Sequence, residues 1–73
     1  MKTLKELHIG ESGVIEHMKT SGALRRRFMD MGITKGCEVK VIKIAPLGDP
    51  IEIEIRGYNL IVRKEDAAKI ELK

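Results

Sequence analysis

Seventy-three residues, with fourteen Lys and Arg against eleven Asp and Glu, carry a net charge of +3; that is one domain, and too mixed a surface for a dedicated nucleic-acid binder, whose charge concentrates on one face. A single cysteine excludes an intrachain disulfide, so the fold must rest on apolar packing, which suits a reducing compartment. No apolar run reaches the roughly 18–20 residues that cross a bilayer, and the opening M-K-T-L-K-E-L-H lacks a signal-peptide core, so a soluble, cytoplasmic protein without direct membrane insertion is expected.

Met1–Leu7 sets Leu4 and Leu7 among charges and reads as a short edge strand followed by a turn. Gly10 and Gly13 bracket a bend at Glu11-Ser12, and Gly13–Met18 reads as a strand with Ile15 on one face and Val14 on the other. The one helix is predicted over Gly22–Met31, with Ser21 as its N-cap and Gly32 as a left-handed C-cap. Leu24, Phe28 and Met31 recur at i, i+4 and i+7 and make one apolar stripe. A helix this short does not hold alone in water, so it must dock on a sheet.

Thr34-Lys35-Gly36 then turns the chain into Cys37 and a meander. Glu38–Ala45 and Ile51–Ile55 are strands, joined by Pro46-Leu47-Gly48-Asp49-Pro50. Ile51, Ile53 and Ile55 alternate with Glu52 and Glu54, the pattern of a strand buried on one side and wet on the other. The alternation slips between Val41 and Ile42, which predicts a bulge. Arg56-Gly57-Tyr58-Asn59 is read as a turn before the strand Leu60–Arg63. Lys64–Ala68 is a single helical turn, and Ile70-Glu71-Leu72 is a last strand to pair with the N-terminal segment. Five or six short strands and one helix imply a mainly β domain, 1–73, closed into a small barrel.

No catalytic constellation emerges. Cys37, Ser12, Ser21 and the threonines are the nucleophiles, and neither His8 nor His17 is placed to activate one. Gly48-Asp49-Pro50 lacks the Walker lysine, so neither an enzyme nor a GTPase is expected. His8, His17 and Cys37 are singletons without paired metal-ligand spacing, so no cofactor is expected beyond weak or adventitious transition-metal binding. Arg25-Arg26-Arg27 is the densest charge feature. It reads either as a solvated helix face, with Arg26 pairing to Asp30 at i+4, or as an anion-facing patch of guanidinium forks. Phe28 is spent on the core, and Tyr58 is the only other aromatic. Base stacking needs more than that, so an acidic protein suits the patch better than nucleic acid. Met29 either joins an adaptable contact surface with Met18 or covers the rim of the core. Tyr58 is an interface anchor or a loop residue leaning on the barrel.

Four segments in order resemble one family: L-x-x-L-x-x-G-x-x-G-x-I (Leu4–Ile15), R-F-M-D-M-G-I-T-K-G-C-E-V (Arg27–Val39), G-D-P-I-E-I (Gly48–Ile53) and R-G-Y-N-L-I-V-R-K-E-D-A-A-K-I (Arg56–Ile70). Together they resemble the ferrous iron transport protein A (FeoA) family across essentially the whole chain. Phe28 stands where the family usually has leucine, and Asp66 where glutamate is frequent. The resemblance implies an SH3-like barrel, and the helix Gly22–Met31 is expected to pack over one of its openings. The resemblance also implies a cytosolic accessory that binds, assembles or regulates a membrane ferrous-iron transporter with a cytoplasmic GTP-binding domain. An alternative is a metal- or peptide-sensing SH3-like domain acting with a transcriptional regulator. Arg25, Arg26, Met29, Arg56, Tyr58 and Asn59 are the expected partner-binding residues, and exposed strand edges leave room for a homo-oligomer.

Overall fold

The computed structural model describes residues 2–73. Five strands form one antiparallel sheet: β1 (Ser12–Met18), β2 (Glu38–Ile44), β3 (Ile51–Ile55), β4 (Tyr58–Val62) and β5 (Ile70–Leu72), in the order β4-β3-β2-β1-β5. Helix α1 (Gly22–Asp30) links β1 to β2, and the short helix α2 (Lys64–Ala67) links β4 to β5. In β3 the three isoleucines are buried while Glu52 and Glu54 face away from the core, as the alternation predicted.

Two irregularities curl the sheet. In β2, Val41 pairs with Ile53 but Lys43 pairs with Glu52, so Ile42 is the extra residue of a bulge at the expected phase slip. In β1, Ser12 to Val14 pair with β2, whereas Ile15, His17 and Met18 pair with β5 across a second register shift. One strand thus serves two ladders. The sheet wraps around a core made of Ile15, Val39, Val41, Ile53, Ile70 and Leu72, among others, all nearly inaccessible to solvent. β5 passes so close to β1 that a Cβ on Gly13 would stand 2.9 Å from Leu72 Cδ1, which accounts for a glycine inside a strand.

Helix α1 lays its stripe on this core: Phe28 is buried, and Leu24 and Met31 are half-buried against it. Its C-terminus closes as a Schellman motif. Gly32 has φ +88°, its N–H donates to the Met29 carbonyl, and the Ile33 N–H donates to the Phe28 carbonyl at 2.8 Å. That turn drives Ile33 into the core beside Phe28. Two details differ from expectation. Met31 is the C-cap and not the last helical residue, and Ser21 has the extended backbone of an N-cap but no side-chain hydrogen bond to the helix.

The N-terminal edge strand is also corrected. Met1 lies outside the described residues, and Leu4–Glu6 forms a 3-10 turn that buries Leu4. Only Thr3 bridges to Glu71, with the Leu72 N–H donating to the Lys2 carbonyl at 2.7 Å. The strand after β3 starts earlier than predicted, because the turn holds only Arg56 and Gly57, at φ +53° and +82°. Two successive positive φ values make a type I′ hairpin, whose twist matches the flanking strands. Tyr58 and Asn59 therefore belong to β4 and not to a turn tip.

Candidate functional site

The predicted partner residues fall into three groups. Arg25, Arg26 and Met29 are exposed on α1, off the stripe of Leu24, Phe28 and Met31. Arg26 forms no ion pair with Asp30; the ion pairs among the described residues are His8–Glu11 and Lys19–Glu71. Tyr58 and Asn59 are exposed along β4, where Asn59 donates to Glu52 Oε2 at 3.1 Å on the outer face. Arg56 is drawn away from both groups.

The Arg56 side chain folds back over the turn before β2. Its Nε and Nη2 lie 3.2 and 3.1 Å from Cys37 Sγ, and Nη2 lies 3.4 Å from Thr34 Oγ1. Thr34 Oγ1 is itself 3.1 Å from that sulfur. The hydrogen bond from Thr34, with the guanidinium of Arg56 next, holds the Cys37 thiol below the usual cysteine range. A left-handed conformation costs a non-glycine residue about 1–2 kcal/mol, so the hairpin places Arg56 at some expense in backbone energy.

His8, His17 and Cys37 do not converge, and no three His, Cys, Asp or Glu side chains gather among the described residues. His8 is engaged locally: its N–H donates to Glu11 Oε1 at 2.7 Å and its Nδ1 lies 3.0 Å from the same oxygen. The backbone donation is the larger reason that the Glu11 carboxyl sits below its ordinary range.

A feature that the sequence did not single out is a groove of about 810 Å³ between α1 and the β4–α2 corner. Arg27, Phe28 and Met31 line one side, and Ile61, Val62 and Arg63 the other. Ile61 is 65 % exposed, an unusual place for a large aliphatic side chain in a strand. The signal was available: with the turn reduced to Arg56-Gly57, strand parity puts Ile61 opposite Glu52, on the solvent side.

The profile of the FeoA domain family matches residues 2–73. The Fe(2+) transport protein A/Fe(2+) transporter FeoB fusion protein of Porphyromonas gingivalis is 43 % identical over 70 residues, covering 96 % of this chain but 8 % of that protein. The solution structure of the FeoA protein of Chlorobium tepidum superposes with a TM-score of 0.91 at 38 % identity, over 97 % of this chain and 68 % of that one. The zinc-complexed FeoA of Stenotrophomonas maltophilia, described as a prokaryotic SH3 domain protein, matches with a TM-score of 0.86 at 26 % identity, over 100 % of this chain and 91 % of that one. The curled sheet with its docked helix is the SH3-like fold of these proteins, and this chain belongs to the FeoA family.

Proposed function

We propose that this chain is a non-enzymatic docking module of ferrous-iron uptake. It binds the cytoplasmic, GTP-binding part of a ferrous-iron transporter and helps assemble or regulate it. One observation carries the reading: in Porphyromonas gingivalis a closely similar segment is covalently joined to a transporter of this type. Tethering raises the local concentration of one module around another to roughly millimolar, an arrangement that favours domains whose job is to meet. The contact surface is built from Arg25, Arg26 and Met29 on α1 with Tyr58 and Asn59 on β4, all exposed. Arg and Tyr are the residue types that anchor interfaces, and guanidinium forks select carboxylates. Titration calorimetry with the transporter's cytoplasmic domain tests this. Binding that weakens on the order of tenfold after Arg25→Glu with Arg26→Glu supports the patch. Unchanged binding removes that patch, and no binding by the unaltered chain removes the function.

A second reading, metal sensing, draws on the zinc-bound Stenotrophomonas maltophilia relative. Calorimetry with Fe²⁺, Mn²⁺ and Zn²⁺ separates the two: stoichiometric binding at micromolar or tighter affinity favours the sensor.

A further inference from the structure

The free edge of β4 opens onto the α1 groove, and the combination suits one kind of occupant. β4 pairs with β3 alone. In a hairpin with a two-residue turn, the flanking residues Ile55 and Tyr58 form a hydrogen-bonded pair, and such pairs alternate along the ladder. Tyr58, Leu60 and Val62 therefore direct their backbone groups to Ile55, Ile53 and Ile51. The N–H and C=O of Asn59 and Ile61 point the other way, and no backbone bond among the described residues meets them. Beside them runs the groove, with Phe28, Met31 and Ile61 for apolar walls. Arg27 and Arg63 stand on opposite sides of it, and neither makes an ion pair among the described residues. At the α2 end the lining is mixed in charge, with Lys64 next to Glu65 and Asp66, and Lys5 and Asp49 complete the charged lining.

We infer that the β4 edge and this groove together bind an extended acidic–aliphatic segment of a partner protein as a sixth strand. Backbone pairing to Asn59 and Ile61 supplies the main-chain contacts, as in other strand-addition complexes. Side chains of an added strand point alternately to its two faces. Aliphatic residues meet Phe28, Met31 and Ile61, and carboxylates meet Arg27 and Arg63, away from Glu65 and Asp66. This deepens the docking function proposed above, and rests on it for the partner's identity but not for its chemistry.

Amide hydrogen exchange on the full chain tests the inference with two probes. One is a short capped peptide alternating glutamate and valine; the other is the cytoplasmic domain of the ferrous-iron transporter. Slowing of exchange at Asn59 and Ile61 by about tenfold or more with either probe supports it. A peptide with lysine in place of glutamate binds on the order of tenfold more weakly at low salt. Ile61→Pro deletes only an outward N–H, as edge strands tolerate, so the variant folds and gives no protection at Asn59. If Ile61→Pro does not fold, Arg27→Glu with Arg63→Glu takes its place and reverses the preference between the two peptides. Protection by the peptide without binding of the transporter domain leaves the inference standing and removes the docking function. Binding of the domain while Asn59 and Ile61 stay unprotected with both probes does the reverse. Equal binding of the two peptides, or a dimer of this chain that already protects β4, overturns the inference.

Discussion

On its β5 side the sheet ends in covered backbone, with Thr3 bridging Glu71 and the Lys2 carbonyl accepting the Leu72 N–H. On its β4 side it ends bare, with Ile61, Asn59 and Tyr58 exposed along the strand. Both edges belong to the same small sheet, and an uncovered edge invites unwanted pairing. The chain uses its first residues to close one edge and keeps the other short and next to arginines. The β5 edge is therefore covered by the chain's own N-terminal segment, while the outward backbone groups of the β4 edge have no backbone partner among the described residues. Helix α1 joins the two roles, since Phe28 belongs to the core and also lines the groove.

The largest effect comes from the residue both regions share. Phe28→Ala removes a buried aromatic side chain and should cost about 3–5 kcal/mol, read as a lower denaturant midpoint. It also strips one wall of the groove, so stability and partner binding fall together. Gly13→Ala acts on the closed side only. Its methyl group meets Leu72 Cδ1 at 2.9 Å, and overpacking of this kind costs about 1–3 kcal/mol. Affinity for the transporter domain, corrected for the folded fraction, stays unchanged. A fall in that affinity would mean that the two edges are not separate in function.

Ile61→Thr acts on the open side. The side chain is already in water, so stability moves by less than about 0.5 kcal/mol, while partner binding weakens because an apolar wall of the groove is lost. The smallest effect concerns Cys37. Its folded-state thiol is held low, so the stability it contributes appears as pH rises through the folded value. That contribution is complete above the unfolded thiol's pKa of about 8.5. Alkylation followed against pH should give a midpoint below that of an ordinary cysteine, moving upward in Thr34→Val and, by a smaller amount, in Arg56→Lys.

The parts of the fold that were legible are those encoded by neighbours in sequence. The strict alternation of Ile51–Ile55, the phase slip at Ile42 and the glycine at the end of α1 each carry their own physical signature. The boundary of β4 was missed because Asn59 and Gly57 are strong turn formers and Arg56 seldom takes a positive φ. That error hid the parity placing Ile61 outside. The pairing of Ile70–Leu72 with the N-terminal segment was legible from the alternation of that last strand, and the Thr3–Glu71 bridge bears it out. The Arg56–Cys37 contact was illegible, since it joins residues that only the folded chain brings together. Of the candidate site, the exposure of Arg25, Arg26 and Met29 was readable from helical periodicity. The groove was not, because it lies between elements and belongs to neither.

The central claim, that the α1–β4 side docks a transporter while the β5 side only holds the fold, is tested most directly by amide chemical-shift mapping. The isotope-labelled chain is titrated with the cytoplasmic GTP-binding domain of a ferrous-iron transporter. The account predicts shifts centred on Arg25, Arg26, Met29, Asn59 and Ile61, with Thr3, Glu71 and Leu72 unmoved. Shifts centred on Thr3, Glu71 and Leu72, or none at saturating domain, would contradict it.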